Sequence, residues 1–357
     1  MPLIIEGGRI PTRWAEKAGA RPVVSIDRSP KRAKSIKIAL VNNMPDPALE
    51  DTELQFFELL DAASDHTLVF VKLYSLSGIP RTGRGQPHLN DFYSGVEDLW
   101  NDRFDAAIVT GTEPHHKDLR EEPYWAGLWE LFDWAERNTV STILSCLAAH
   151  AGVLYSDGVP RHPLKDKCFG VFESSSTGKH PLTAHIEDFV RFPHSRWNEV
   201  RAADLASAGY DVLLQSEEAG VDLFAKCKKK SLFVHFQGHP EYGALTLLKE
   251  YRRDVKRFLR HERETYPTMP HEYFSAPGVD LLSRFQEQAV RDRREEVMQS
   301  FPEEMVVGTL HNTWHSSAIA VYRSWLQYVL AKQAETVQFA VMAEATSQSP
   351  RRRSAVS

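Results

Sequence analysis

TVSTILSCLAAHAGVLYS, residues 139–156, contains no lysine, arginine, aspartate or glutamate. Its first half is apolar and β-branched, which is typical of a buried strand, and its second half is rich in alanine, which favours a helix. The stretch approaches the length of a membrane span, but its serine, threonine and His150 side chains argue against one. It therefore predicts a buried strand that runs into a helix, with Cys146 at the turn between them.

Strand and helix patterns also alternate before this stretch. Three more apolar, β-branched runs precede it, IKIALVN at 36–42, TLVFVKLY at 67–74 and DAAIVTG at 105–111. Helical patterns lie between the runs, at 52–62, 91–100 and 123–137. Repeated strand–helix–strand units connect through right-handed crossovers. The sequence therefore predicts an α/β fold with a mostly parallel sheet covered by helices on both faces.

The rest of the chain adds strands to the sheet and helices at its end. Short strand patterns lie near 168–173, 208–215, 220–226 and 231–237, and helical patterns at 244–264, 278–300 and 313–334. We predict an irregular N-terminal arm at 1–35, one domain at 36–335 with a helical insertion at about 278–302, and a disordered tail at 336–357.

Composition excludes several classes of protein. Of 357 residues 42% are hydrophobic and 25% charged, as in an ordinary soluble globular protein. A net charge of -5 argues against nucleic-acid binding. The three cysteines are too few for a disulfide framework and lack the paired spacing of a zinc site, and the N-terminus lacks a signal-peptide pattern. We therefore expect a cytoplasmic protein in a reducing compartment, with no metal and no membrane association.

Cys146 is the candidate nucleophile. The carboxyl edge of an open α/β sheet is where ligands bind, and a helix N-terminus there favours a thiolate. The backbone N–H of Leu147, next in the chain, could stabilise the oxyanion of a tetrahedral intermediate. The alternative is a buried, inert cysteine, since free cysteine is among the most buried residue types.

The stretch SLFVHFQGHPEYGAL, residues 231–245, supplies a base for this nucleophile. His239 and Glu241 follow another apolar strand directly, and therefore also lie at a strand end. A cysteine paired with a histidine, and the histidine with a carboxylate, can form a thiolate, protonate a leaving group and activate a hydroxyl. His235 lies within the strand pattern, so we interpret it as a core residue. Cys168 and Cys227 fall in or beside predicted strands without a neighbouring base, and we interpret both as structural.

A cysteine after the fourth strand and GHPEY about ninety residues later resemble the flavodoxin-like class I glutamine amidotransferase superfamily. The closer resemblance is to the homoserine O-succinyltransferase family, which shares that fold. It extends from about residue 36 to about residue 335. The motifs that carry it are MPDPALEDTELQFFELL, FYSGVEDLW, FDAAIVTG, TILSCLAAHA, KCFGVFE, PHSRW, GHPEY and EYRRDV.

The resemblance implies an acyltransferase of methionine biosynthesis. Cys146 would take the acyl group from acyl-CoA as a thioester, with His239 as general base and Glu241 as its partner. Three further residues would contact L-homoserine, namely Lys167, Ser195 and Arg253. An arginine suits this role because it binds a carboxylate bidentately. No cofactor is implied beyond acyl-CoA as co-substrate.

The loop TGTEPHHKDL, residues 110–119, departs from the family pattern. The family usually has TGAP here and, at the position of His115, a glycine that leaves room for succinyl or a glutamate that favours acetyl. The bulk of His115 argues for a small acyl group, whereas the basic run of His115, His116 and Lys117 would suit the carboxylate of a succinyl group. We favour succinyl-CoA as donor, with acetyl-CoA as the alternative.

Several other functions stay open at this point. They are homoserine O-acetylation, acylation of another hydroxy amino acid, hydrolysis by a glutamine amidotransferase-type enzyme, and a non-catalytic relative that keeps the fold. The residues beside Cys146, Ser145 and Leu147, argue against the hydrolase, whose nucleophile turn normally has glycines on both sides. The oligomeric state is left open, with a homodimer as a common arrangement for enzymes of this size.

Overall fold

Ten strands form one sheet in the part of the chain that the structure describes. The computed structural model describes residues 3–7, 10–18, 34–83 and 85–347, apart from the side chains of 337 and 339–347. The strands are β1 (Leu3–Ile5), β2 (Ser35–Val41), β3 (Leu68–Tyr74), β4 (Ala106–Val109), β5 (Ser141–Ser145), β6 (His162–Ser176), β7 (Phe189–Glu199), β8 (Asp211–Ser216), β9 (Gly220–Lys228) and β10 (Ser231–Phe236). Their order in the sheet is β1-β3-β2-β4-β5-β10-β9-β8-β6-β7.

The sheet has a parallel half and an antiparallel half. Strands β1, β3, β2, β4, β5 and β10 pair in parallel. Strands β10, β9, β8, β6 and β7 pair antiparallel. The four strands predicted in the first part of the chain and the four predicted later are therefore confirmed, and β5 and β10, which end at the two candidate catalytic stretches, are neighbours.

Helices cover both faces of the sheet. They are α1 (Thr12–Ala18), α2 (Asp46–Ala63), α3 (Gly85–Phe92), α4 (Val96–Leu99), α5 (Trp125–Asn138), α6 (Leu147–Asp157), α7 (Ala202–Ser207), α8 (Thr246–Leu259), α9 (Ala276–Arg291), α10 (Glu303–Val307) and α11 (His315–Ser347). Alternate residues of β2 enter different core clusters, because side chains of a strand point to opposite faces. Ile38 packs in the cluster of α2 and α11, whereas Ala39 packs in the cluster of α5 and α6. The predicted fold class is confirmed.

Three predictions about the periphery are wrong. The predicted irregular arm contains β1, which pairs with β3, and α1; residues 19–33 lie outside the described part. The single helix predicted at 91–100 is instead the end of α3 and the short α4, because the N–H of Ser94 donates to the carbonyl of Leu73 on β3. The tail predicted from residue 336 is helical as far as Ser347, and residues 348–357 lie outside the described part.

Strand β7 was missing from the sequence prediction. It contains PHSRW, and a proline with charged neighbours does not resemble a central strand. In the structure β7 is the edge strand beside β6, where a proline is tolerated because one side of the strand makes no ladder. This strand carries Ser195, so it brings a predicted substrate-binding residue into the sheet.

The C-terminal helices form a third packed cluster. Tyr251 and Val255 of α8 pack with Leu282 and Phe285 of α9 and with Phe169 of β6. The predicted insertion at about 278–302 is thus helical, and it packs against α8. Among the described residues, no helix combines the length and apolar character that a membrane crossing requires.

Candidate active site

The ends of β5 and β10 bring the two candidate catalytic stretches together. Ser145 pairs with Phe236 in the parallel ladder, and the N–H of Cys146 donates to the carbonyl of Phe236 at 2.8 Å. Cys146 is therefore the first residue past the end of β5, and His239 is the third past the end of β10. The predicted placement of both residues at one edge of the sheet is confirmed.

Cys146 occupies a strained turn between β5 and α6. Its φ of 51° and ψ of -109° lie in a region that residues other than glycine rarely adopt. It is the N-cap of α6, and its side chain is partly exposed, unlike the buried residues on either side. Strain of this kind is often stored where a side chain must be presented to a ligand. The alternative of a buried, inert cysteine is therefore disfavoured.

Leu147 lies so close to Gly111 that only a glycine fits there. A Cβ atom built on Gly111 would lie 2.6 Å from Leu147 Cβ and 2.9 Å from Leu147 N. Gly111 follows β4, the other neighbour of β5 in the sheet. A side chain there would crowd the first amide of α6, which is the predicted oxyanion donor.

His239 is held between Glu241 and the nucleophile. Its Nδ1 lies 2.9 Å from Oε1 of Glu241, and both side chains are almost fully buried. Ser145 donates a hydrogen bond to the same Glu241 oxygen at 3.1 Å. The Glu241 contact leaves the opposite ring nitrogen, Nε2, for proton exchange with a reacting group.

The charge state of His239 follows from these neighbours. Burial alone would lower its pKa, but the negative charges of Cys146 and Glu241, with hydrogen bonds from His239 to both, hold the pKa of the ring well above 6.5. Cys146 and His239 thus interact, and the arrangement favours the protonated form of the His239 ring.

The turn that carries His239 is fixed from two sides. The N–H of Gly238 donates to Oδ1 of Asp222 at 3.2 Å, and the N–H of His239 donates to the carbonyl of Pro193 on β7 at 2.7 Å. A Cβ atom on Gly238 would lie 2.7 Å from the same Asp222 oxygen. The catalytic turn therefore depends on a close approach that only glycine permits.

The three predicted substrate-binding residues meet around one carboxylate, Glu250. Lys167 Nζ lies 3.3 Å from Glu250 Oε2, Ser195 donates to the same oxygen, and Arg253 Nη2 lies 3.8 Å from it. Burial would raise the pKa of Glu250, but Lys167, Ser195 and Arg253 together lower it below its usual value. Tyr242 donates to Glu250 at 2.9 Å and stacks on the His239 ring at 4.2 Å. This cluster therefore adjoins the catalytic histidine.

Beyond Arg253, helix α8 borders an open groove of about 550 Å³. Its walls carry more basic than acidic side chains: Lys249, Arg252, Arg253 and Lys256 against Glu295 and Glu296. Such a lining attracts anionic groups.

His115 lies on an exposed loop, and only its backbone has a partner there. The amides of His115 and His116 both donate to Glu122 Oε1 at 2.6 Å. The side chains of His115, His116 and Lys117 are exposed. The role of His115 in acyl choice stays a prediction.

The interpretation of the remaining histidine and cysteines agrees with their surroundings. His235 is fully buried, stacks on Phe224 at 4.7 Å, and burial lowers its pKa to about 3, so the core interpretation is confirmed. Burial raises the pKa of Cys168 to about 11, which keeps that thiol protonated at neutral pH. Cys227 is exposed at the end of β9.

Sequence reasoning missed four residues of the site: Ser145, Tyr242, Glu250 and Gly111. All four stand in motifs already quoted: directly before Cys146, at the end of GHPEY, at the start of EYRRDV and at the end of FDAAIVTG. Their roles depend on distances between elements far apart in the chain, so the motifs alone gave no reason to select them.

Fold and site together define the class of protein. It is an α/β protein that presents a cysteine, a histidine and a glutamate at neighbouring strand ends. A family model described as homoserine O-succinyltransferase matches residues 19–336. The chain therefore belongs to the homoserine O-succinyltransferase family.

Individual relatives agree with this assignment. The chain is 43% identical over 302 residues to a homoserine O-succinyltransferase of Rhodopseudomonas palustris, covering 84% of this chain and 90% of the relative. It is 38% identical over 330 residues to one of Methylobacter tundripaludum, covering 91% and 92%. Among solved structures, it is similar to a glutamine amido transferase from Methylobacillus flagellatus, with 13% identity, a TM-score of 0.46 and coverage of 83% and 96%.

Proposed function

We propose that this enzyme transfers the succinyl group of succinyl-CoA to the hydroxyl of L-homoserine in methionine biosynthesis, by way of a thioester on Cys146. The observation that carries the proposal is the placement of Cys146, His239 and Glu241 at adjacent strand ends, next to a cluster suited to an amino acid. Relatives that share most of the chain are named for this reaction.

The first half-reaction forms the acyl-enzyme. The Cys146 thiolate attacks the thioester carbonyl, and the oxyanion forms beside the N–H of Leu147. The intermediate collapses with cleavage of the carbon–sulfur bond to CoA. The CoA thiolate leaves with a proton from the imidazolium of His239, which is left neutral.

The second half-reaction transfers the acyl group to the acceptor. Neutral His239 removes the proton of the homoserine hydroxyl, whose oxygen attacks the enzyme thioester. Cys146 leaves as a thiolate and the O-acyl ester is released, which restores the starting charge state. Glu241 orients the ring and stabilises the imidazolium at both stages.

The Glu250 cluster supplies the groups that homoserine requires. Arg253 and Lys167 offer donors for the carboxylate, and Glu250 offers an acceptor for the ammonium. Because Tyr242 joins Glu250 to the His239 ring, an acceptor bound there would place its hydroxyl towards the base. The acceptor site and the catalytic site are thus one continuous site.

The basic groove along α8 suits a donor that carries phosphates. Lys249, Arg252 and Lys256 of the groove would attract the phosphates of CoA, and salt screens such exposed charges. We expect the KM for succinyl-CoA to rise with ionic strength more than the KM for a succinyl thioester of N-acetylcysteamine, which has no phosphate. If the KM values of the two donors depended equally on salt, the groove would not be part of the donor site.

The reaction requires no cofactor beyond its co-substrate. We place the enzyme in the cytoplasm, where thiols stay reduced, because Cys146 must be free to react and all three cysteines are unpaired.

The experiment that tests the function offers succinyl-CoA or acetyl-CoA with homoserine, serine or no acceptor, and follows release of CoA thiol. We expect fastest release with succinyl-CoA and homoserine, and none from Cys146→Ala. Glutamine hydrolysis without acyl transfer would instead support an amidotransferase-type hydrolase. Near-normal turnover by Cys146→Ala would exclude the thioester route.

A further inference from the structure

Arg161 is a partly buried cation that forms no ion pair with any other described residue. It lies just after α6, and its Nη2 donates to the backbone carbonyls of His116 at 3.0 Å and Lys117 at 2.8 Å. Among the described residues, Nε and Nη1 of Arg161 have no hydrogen-bond partner, and no carboxylate pairs with the guanidinium. A guanidinium withdrawn from water usually has an anionic partner, so its free donors suggest a ligand.

The loop that Arg161 holds begins at the nucleophile. Gly111 lies against Leu147, and from there the chain runs to His116 and Lys117, which rest on Arg161. Burial lowers the pKa of Arg161, and the nearby Glu122 and Asp118 carboxylates act in the opposite direction. The loop thus links Arg161 to Leu147, the residue that follows Cys146 in the chain.

The basic side chains of the loop itself are less suited to bind an acyl group. His115, His116 and Lys117 are exposed, and His116 already lies 3.6 Å from Glu121. A pair between exposed charges is weakened by water and salt, whereas a partly buried guanidinium retains more of its attraction. A guanidinium also fits a carboxylate with two parallel hydrogen bonds.

We propose that Arg161 binds the free carboxylate of the succinyl group carried on Cys146, and that it thereby selects succinyl over acyl groups that end in a methyl. This inference rests on the proposed function, because it concerns the donor of that reaction. It assigns the specificity expected of the loop to a residue outside the loop.

The test compares two donors that differ only at the far end of the acyl chain. Succinyl-CoA and butyryl-CoA have four acyl carbons each, and only the first ends in a carboxylate. We expect Arg161→Gln to lower kcat/KM for succinyl-CoA by about 10- to 100-fold, which is the loss typical of a charge-assisted hydrogen bond. The kcat/KM for butyryl-CoA should stay within about twofold of the wild-type value.

Two further variants separate recognition from folding. Arg161→Lys keeps a cation but cannot make both loop contacts and a bidentate pair, so we expect an intermediate preference. Arg120→Gln is the control, because Arg120 lies on the same surface but is exposed and pairs with Asp118. Arg120→Gln should leave the ratio of kcat/KM for succinyl-CoA to kcat/KM for butyryl-CoA unchanged.

Each outcome decides the inference. If kcat/KM fell equally for both donors in Arg161→Gln and Arg161→Lys, Arg161 would only hold the loop. If the preference for succinyl-CoA over butyryl-CoA were unchanged, Arg161 would not bind the carboxylate. If the wild-type enzyme releases no CoA from succinyl-CoA with homoserine, the proposed function itself fails. That result is obtained before any variant is compared.

Discussion

Ser145 donates a hydrogen bond to Glu241 at 3.1 Å, so the residue before the nucleophile is bound to the carboxylate that orients the base. Both side chains are buried, and Glu241 Oε1 accepts from Ser145 as well as contacting His239. The other oxygen, Oε2, has no hydrogen-bond partner among the described residues. The ends of β5 and β10 are therefore joined through side chains as well as through the backbone ladder.

Ser145→Ala should slow catalysis through the base. Loss of this bond leaves a buried carboxylate with one partner fewer, which costs about 1 kcal/mol of stability and loosens the orientation of His239. We expect kcat to fall roughly tenfold, equivalent to about 1.4 kcal/mol in the barrier. The control is Ser141→Ala in the same strand, where Ser141 contacts Leu232 and Trp325. It should destabilise the fold without changing kcat, and an equal effect on kcat would contradict this account.

The pKa of His239 should depend on the sulfur of Cys146. Since burial lowers this pKa and the charges of Cys146 and Glu241 raise it above 6.5, Cys146→Ala removes part of the rise and leaves the burial. The ring proton signals followed by NMR should therefore titrate at lower pH in Cys146→Ala, while Cys227→Ala should match the wild type. An unchanged titration would mean that the thiol and ring do not interact.

The sign of the same shift predicts a stability effect. A pKa raised in the folded state means that protonation of His239 stabilises the fold below pH 6.5, and that this contribution is lost as pH rises through the folded-state pKa. Chemical denaturation measures the free energy of unfolding at each pH. As the pH rises through this range, that free energy should fall less for Cys146→Ala than for the wild type.

Gly111→Ala should damage the oxyanion site. The added methyl would come within 2.9 Å of Leu147 N, so the amide is blocked or displaced. Loss of one oxyanion donor typically lowers kcat by about 10²- to 10³-fold. Gly178→Ala is the matched control, since its Cβ would meet no atom within 4 Å. Similar activity of the two alanine variants would exclude Leu147 as the donor.

Arg253→Gln should weaken binding of the acceptor and spare the donor half-reaction. Arg253 approaches Glu250 and has an exposed guanidinium, so its charge is available to a substrate carboxylate. We expect the KM for homoserine to rise about 10- to 100-fold, with acyl-enzyme formation unchanged. Arg257→Gln on the same helix is the control. If acyl-enzyme formation were slower and the KM for homoserine unchanged, Arg253 would serve the donor and not the acceptor.

The sequence predicted those parts of the site that depend on local pattern. Cys146 and His239 each follow an apolar run directly, and parallel strands end at the same edge, so their proximity followed from the strand assignment. Edge elements were missed because local signals favour other structures: β1 has only three residues, and β7 contains Pro193.

Contacts between distant elements were not predictable in this way. Glu250 is a candidate binding residue only because α8 packs it beside Lys167 of β6 and Ser195 of β7. No sequence motif pointed to Arg161, which the structure places against the carbonyls of residues 116 and 117. Such roles depend on tertiary packing, and contacts between distant elements are hard to predict from a single sequence.

The central claim is that the acyl group passes through Cys146. The most direct measurement is the intact mass of the enzyme after mixing with succinyl-CoA in the absence of homoserine. We predict a mass increase of one succinyl group, located on Cys146 by peptide mapping, absent from Cys146→Ala and discharged when homoserine is added. Full transferase activity without any such adduct, or an adduct on another residue that homoserine discharges, would contradict the account.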